Sequence, residues 1–500
     1  METFRQRLRF GTTKEDVKLR KRKSLLYTKE VNAPIRTVAA FSVIFRVVNC
    51  FLVQSSFVPD EYWHVTYGHL TWEWKEGIRG FTYPLFFAVI YKILHWINCD
   101  YIWIPRLLQA LLSAFADVKF FFLMRTLEDR NIAKWTFFCH MCSWFTWFLC
   151  TRTLTNSVEA TITCLALSYF PLPASKTHSS KKYLSLVALA IIVRPTALIV
   201  WLPLLAYHFW QCKNKLRLFV HDYIPIGVSA VVISTTIDCI FYEKWIFVQF
   251  NFLKINVFHN VAELYGTHPW HWYLTQGFPV VIGPHLPFFF HGCFLAFRRY
   301  RVLLVAITWT IGVYSLLPHK EFRFIYPVLP FCLIFCGKFL LQLMWRRAAA
   351  CGLLAVNLLI ALYTGLIHQR GALDVMSHVR ALCHNVSEPD VLFLMPCHST
   401  PYYSHIHCPL KMSFLECPPD LGQAGHVDEA DRFYDDPLLW LRTSFPHTQS
   451  RPSHLVLFDV LEKEISIFLQ DNNYKKTTDI FHTHFPEGRL GGRIFMYEKH

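Results

Sequence analysis

The sequence predicts a polytopic α-helical membrane protein of about 11 transmembrane helices, with amphipathic helices in its first loop and a C-terminal α/β domain. Three observations carry that reading. The 500 residues are 53% hydrophobic, and the apolar residues recur in blocks of roughly 15–22, so lipid is the solvent for most of the chain. Lys and Arg cluster in short segments between the blocks, as topology requires. After about residue 370 the long apolar blocks stop, and proline, histidine and acidic residues rise.

Taken in order, residues 1–37 form a basic segment: eleven Lys/Arg stand against four Asp/Glu between Met1 and Arg36. Such a flank stays cytosolic, so the first apolar block, 38–54, should deliver the following loop, 55–102, to the lumenal side. That loop carries an aromatic helix expected over Tyr62–Trp74. Its second helix is the block 81–97, where Tyr83-Pro84, Lys92 and His95 interrupt the apolar run and mark an interfacial helix. Blocks 103–124, 135–150 and 157–173 follow as spans. The 28 residues of 183–210 are too long for one span and break at Arg194-Pro195, because a residue before proline avoids the helical region. Blocks 221–242, 277–297, 302–317, 324–344 and 348–368 complete the membrane domain, 38–368. Five short loops then hold 14 cations on the cytosolic face: Arg125, Arg130 and Lys134; Lys176, Lys181 and Lys182; Lys213, Lys215 and Arg217; Arg298, Arg299 and Arg301; Arg346 and Arg347. The remainder, 369–500, falls on the lumenal side, and strand-like runs such as 390–395 and 454–459 make it an α/β domain.

The same pattern bounds function. A net charge of +15 suggests nucleic acid only if the cations line a groove. Here they mark loops, so no nucleic-acid partner is expected. No cleavable signal peptide and no lipidation motif is visible. The 16 cysteines show no zinc spacing. Cys383, Cys397, Cys408 and Cys417 lie close together in the tail, where an oxidising lumen permits disulfides of unassigned pairing. Asn385-Val386-Ser387 is a glycosylation sequon on the predicted lumenal side.

Candidate chemistry gathers on that side. Asp60 and Glu61 stand adjacent just past the first span, where carboxylates are costly unless they have a role. Either can act as general base toward a hydroxyl at the membrane surface; an N-terminal cap on the aromatic helix is the structural alternative. His319, Lys320 and Arg323 surround Glu321 in a short lumenal loop, against the usual charge bias, and suit a phosphate clamp; snorkelling and a local ion pair are the alternative. Arg152 and Arg194 are lone cations at lumenal turns, placed either to meet a phosphate or to satisfy backbone carbonyls. Trp63 opens the aromatic helix, which suits either headgroup anchoring or sugar stacking. His268, Trp270 and His271 form a polar-aromatic wall for sugar hydroxyls or an acceptor lipid. The two histidines lack a third ligand, so no metal is expected there.

These motifs together resemble glycosyltransferase family 22: Pro59-Asp60-Glu61, the run Gly68-His69-Leu70-Thr71-Trp72-Glu73-Trp74 followed by Ile78-Arg79-Gly80, Thr151-Arg152-Thr153-Leu154-Thr155-Asn156, and His319-Lys320-Glu321-Phe322-Arg323-Phe324. Many relatives carry histidine before the Pro-Asp-Glu, where this chain has Val58. The segment from Tyr265 to Gly283 resembles the branch of that family that adds the third, α1,2-linked mannose to the glycosylphosphatidylinositol (GPI) precursor. The resemblance covers roughly residues 38–370 and implies a membrane enzyme of the GT-C type in the endoplasmic reticulum, with dolichyl-phosphate mannose as donor and the GPI precursor glycolipid as acceptor. It further implies inversion at the anomeric carbon, with Asp60 or Glu61 as base and Arg323, Lys320 and His319 on the leaving phosphate. No cofactor is implied and no metal is obviously required, although adjacent acids can recruit one. Two other classes compete. A transporter would explain the broken helix and intramembrane arginines, but no inverted repeat is found. A lipid acyltransferase would want a buried histidine in a span, for which His208 is poorly placed.

Overall fold

A computed structural model describes residues 35–63, 71–96, 103–173, 175, 178–258, 261, 263, 266–384, 389–419, 427–447 and 451–500. Every predicted apolar block is helical. The helices are Ile35–Leu52, Thr82–Trp96, Ile104–Leu127, Arg130–Cys142 with Trp144–Leu149, Thr155–Leu167, Ser180–Val193, Ala197–Gln211, Ile224–Tyr242, Leu286–Leu316, Leu329–Gln342 and Arg346–Leu366. Among the described residues, six stretches are long and apolar enough to cross a bilayer: Ile35–Leu52, Ile104–Leu127, Lys215–Tyr242, Tyr273–Leu316, Phe322–Gln342 and Arg346–Ala381. The chain is a multi-pass membrane protein.

The shorter helices have a physical reason for their length. Thr155–Leu167 rises only about 20 Å, less than the ~30 Å hydrocarbon core. It is wrapped by neighbouring helices, with Asn156, Ser157, Glu159 and Thr163 buried among them. Polar groups at membrane depth are tolerated where protein covers them. The same rule accounts for the ion pair inside the bundle, where Asp117 accepts from Arg46 Nε at 2.7 Å and contacts His140 Nε2 at 2.8 Å.

Four local expectations meet the structure differently. The break at Arg194-Pro195 is present: Arg194 is extended (φ −149°, ψ 108°) between Ser180–Val193 and Ala197–Gln211. The long helix Leu286–Leu316 bends at Tyr300 (φ −118°, ψ 28°), among the Arg298–Arg301 cations. Block 135–150 is not one helix: it breaks at Ser143 (φ −60°, ψ 119°), whose hydroxyl accepts from Thr146 N at 3.5 Å and restarts the helix. The aromatic helix is also not continuous as far as it is described. Single turns occur at Asp60–Trp63 and Trp72–Lys75, and residues 64–70 lie outside the described residues.

The C-terminal region builds a five-stranded mixed sheet in the order β2-β1-β3-β5-β4. Its strands are β1 Asp390–Leu394, β2 Lys411–Phe414, β3 His454–Phe458, β4 Tyr474–Phe481 and β5 Arg493–Lys499. β1 runs parallel to β2 and β3, and β5 runs antiparallel to β3 and β4. β3 is buried along its whole length because both faces are covered, as its unbroken apolar run requires. On one face Val456 and Phe458 meet Val375, Met376 and Val379 of the helix Gly371–Ala381. On the other, Leu455 and Leu457 meet Phe433, Leu441 and Phe468. The four tail cysteines pair as Cys383–Cys408 and Cys397–Cys417.

Candidate active site

The chain leaving the first helix is tied down before it reaches the acids. Gln54 N donates to Gly365 O at 2.7 Å and Ser56 N to Gln369 O at 3.1 Å. Pro59 then starts one helical turn, its carbonyl accepting from Tyr62 N and Trp63 N. Successive residues of a helical turn point about 100° apart, so adjacent acids cannot face the same way. Glu61 turns inward and Asp60 outward.

Glu61 is buried between two guanidiniums. Arg106 donates Nε (3.0 Å) and Nη2 (2.5 Å) to Oε1, and Arg152 donates Nη1 (2.7 Å) to Oε2. Burial alone would raise its pKa, but Arg106 and Arg152 hold it below the usual carboxylate range. Arg152 is fully buried, and its remaining contacts go to Phe148 O, Ser55 O and Ser55 Oγ. These two residues, expected as a catalytic base and a phosphate ligand, form a buried ion pair with one another. Of the two readings open for Arg152, satisfaction of carbonyls fits this geometry.

Asp60 is 27% exposed, and its Oδ2 accepts from Arg323 Nη1 at 2.6 Å. Arg323 also grips Glu321 bidentately, at 2.6 and 2.7 Å. That fork holds Glu321 at a pKa of about 2 even though burial alone would raise it. His319 Nε2 lies 3.1 Å from Glu321 Oε1, and its Nδ1 lies 3.1 Å from Gly266 O. Burial disfavours the imidazolium, but Glu321 outweighs it and raises the pKa. Tyr273 fixes the loop by accepting from Glu321 N and donating to Glu321 O.

Lys320, expected in the phosphate clamp, folds back. Its ammonium donates to His268 O at 2.8 Å, to Leu317 O and to Pro318 O, which occupies its three donors. Arg194 pairs with Glu159 at 2.9 Å, and its guanidinium lies 5.0 Å from the Phe324 ring, with Arg323 5.8 Å from the same ring. Arg194 therefore adjoins the cluster through Phe324, with its charge already matched.

The aromatic residues separate. Trp63 is 5% exposed, donates Nε1 to Thr400 O at 3.0 Å and stacks on Tyr402 at 5.2 Å, with Phe414 and His398 at its edges. It plugs the core of the C-terminal sheet, so a sugar-stacking role has no open ring face to use. His268, Trp270 and His271 are exposed, Trp270 at 65%. Their segment lies against the cationic loop through His268 N to Pro318 O at 3.0 Å, and His268 stacks on buried Trp272. Among the described residues, one trio of possible metal ligands lies close together, Cys397, His398 and Cys417, and its two cysteines are joined as a disulfide. Asn385 lies outside the described residues.

Sequence reasoning gave no separate role to Arg79, Glu73 or Arg106. Arg79 forks onto Glu73 at 3.1 and 2.7 Å and lies 3.8 Å from Asp60 Oδ1. Arg106 carried a usable signal, since an arginine inside a span is a functional-site candidate by default.

Residues 37–407 match the model of the Alg9-like mannosyltransferase family. The chain is 57% identical over 525 residues to a GPI alpha-1,2-mannosyltransferase 3 of Danio rerio, covering 100% of this chain and 98% of the relative. It is 55% identical over 511 residues to the Homo sapiens protein of that name, covering 97% and 92%. Its fold is similar to that of ArnT from Cupriavidus metallidurans solved with undecaprenyl phosphate, with a TM-score of 0.60 at 13% identity over 93% of this chain and 98% of that one, which gives the membrane architecture as GT-C. The chain therefore belongs to the Alg9-like mannosyltransferases, glycosyltransferase family 22.

Proposed function

We propose that this enzyme adds the third, α1,2-linked mannose to the GPI precursor, taking it from dolichyl-phosphate mannose on the lumenal face of the endoplasmic reticulum. The observation that carries the reaction is the part-exposed Asp60 carboxylate, 2.6 Å from the Arg323 guanidinium. The mannose specificity rests on the relatives' name, and a polyprenyl-phosphate donor is supported by the lipid phosphate bound to ArnT. In this reading the protein crosses the membrane eleven times, with its N-terminus cytosolic and residues 369–500 lumenal. The short helices of 13–15 residues act as spans inside the bundle.

The acceptor 2-hydroxyl oxygen forms a bond to the anomeric carbon of mannose as the bond from that carbon to the phosphate oxygen breaks. The hydroxyl proton passes to Asp60, and the electron pair leaves with dolichyl phosphate. A β-linked donor thus gives an α-linked product. Arg323 stabilises the charge that develops on the phosphate, as preorganised donors do. His319 acts through Glu321 to hold Arg323, while His268, Trp270 and His271 line the acceptor side. No metal is needed in this scheme, because guanidiniums supply the positive charge and Asp60, Glu73 and Glu321 are each engaged by one. EDTA should leave transfer unchanged.

The test is mannosyl transfer by the full-length enzyme with dolichyl-phosphate mannose and defined GPI precursors. A two-mannose acceptor should be converted, and Asp60→Asn should lower turnover by about 10²–10⁴-fold while the protein still accumulates. Normal transfer by Asp60→Asn would remove Asp60 as the base.

A further inference from the structure

We propose that Arg79 is a second ligand for the leaving phosphate, and that Arg79 and Arg323 shift their charge from Asp60 to that phosphate as Asp60 takes the proton. This rests on the function proposed above and assigns a residue to it.

The geometry is paired. Asp60 stands between two guanidiniums from distant parts of the chain, Arg323 at 2.6 Å and Arg79 at 3.8 Å. Each guanidinium is oriented by its own carboxylate in a two-bond fork, Glu321 for Arg323 and Glu73 for Arg79. The two cations are close enough to repel one another electrostatically. Arg79 is 22% exposed, and its Nη1 makes no hydrogen bond to a described residue. That leaves donors available to an incoming oxyanion.

The scaffold beneath Arg79 is more elaborate than a surface ion pair requires. Tyr242 Oη donates to Arg79 O at 2.9 Å, and Phe81 N donates to the buried Asp238 Oδ1 at 2.8 Å. Gly77 has φ +67°, and a side chain there would run into Ile246. Asn251 Nδ2 reaches Gly77 O at 3.5 Å. Residues 77–81 are thus held by the segment 238–251, which fixes where the guanidinium points. Sites that bind charge precisely are built this way, with a supporting shell behind the contact residue.

Charge balance supplies the mechanism. Asp60, Glu73 and Glu321 carry three negative charges against two from Arg79 and Arg323, with His319 beside Glu321 as a further titratable group. When the acceptor proton neutralises Asp60, both arginines lose a carboxylate partner. In the same step the donor phosphate turns from a diester monoanion into a monoester that gains negative charge. The guanidiniums need not move far, since their counter-ion changes while they stay in place.

The decisive measurement is inhibition of the full-length enzyme by dolichyl phosphate, alongside KM for the acceptor. Arg79→Gln should weaken dolichyl phosphate by about ten- to hundredfold, with acceptor KM unchanged, and Arg79→Lys should recover part of the loss as a point charge. Direct binding of dolichyl phosphate to Asp60→Asn should be tighter than to the unaltered enzyme, because the competing carboxylate charge is gone. If Arg79→Gln does not accumulate, Glu73→Gln/Arg79→Gln removes the stranded carboxylate and serves instead. Weakening by Arg323→Gln but not by Arg79→Gln would overturn this inference and leave the proposed function standing. If neither variant weakens dolichyl phosphate, the phosphate site itself is misplaced and both readings fall.

Discussion

Two neighbouring carboxylates in one helical turn have opposite fates here, and their variants should separate accordingly. Glu61 sits in a dry cage of Arg106 and Arg152. Glu61→Gln strands two buried guanidiniums, which costs about 3–5 kcal/mol; thermal unfolding in detergent should show the loss, and activity should fall with the folded fraction. Asp60→Asn should instead keep its unfolding temperature within a few degrees and lose turnover. Equal destabilisation by both would contradict the division of roles. His319 makes a separate, pH-dependent case. Its pKa is raised in the fold, so its stabilising pairing with Glu321 is complete below the ordinary imidazole value near 6.5 and is lost as pH rises through the raised one. A pH–rate profile should therefore show an alkaline limb that His319→Gln removes. An unchanged limb in that variant would detach His319 from the site.

At the scale of elements, the structure gives the first loop a second task. Trp63 leaves the same turn as Asp60 and enters the core of the C-terminal sheet, against Tyr402 and Phe414. The turn is thereby clamped from both sides, by Arg106 and Arg152 beneath and by the sheet above. Trp63→Ala should cost about 3–5 kcal/mol and open the C-terminal region to protease, with the acceptor KM of the surviving enzyme unaltered. A changed KM with undiminished protease resistance would restore the sugar-stacking role. Element boundaries were legible where covalent geometry dictates them, as at Arg194-Pro195, and where charge interrupts apolar sequence, as near Tyr300. The break at Ser143 carries neither signal. A serine within Cys142-Ser143-Trp144 is ordinary helix sequence until neighbouring helices decide that its hydroxyl will cap the next turn.

For the whole molecule, the proposed orientation rests on the basic loops. On the opposite side of the bundle from the acids in this reading, Glu128 collects Arg299, Tyr300 and Lys338, where the sequence placed cytosolic charge. If residues 369–500 are lumenal, Asn385 should carry a glycan: endoglycosidase treatment should increase electrophoretic mobility, and Asn385→Gln should abolish the shift. A glycan on a sequon moved into the 213–217 loop would reverse the topology.

The sequence by itself determined the membrane class, the helical blocks, the α/β tail and the family, and it singled out Asp60 and the His319–Arg323 loop as candidates. These are properties of composition, periodicity and short motifs, which act locally along the chain. Only the tertiary structure decided that Glu61 and Arg152 neutralise one another in the interior, that Lys320 turns to carbonyls, that Trp63 belongs to the sheet, and that Arg79 joins Arg323 at Asp60. Each depends on which distant partner the packed fold places beside it. Residues 263 positions apart, such as Asp60 and Arg323, meet only because packed helices bring their loops to one mouth, and no local pattern encodes that distance.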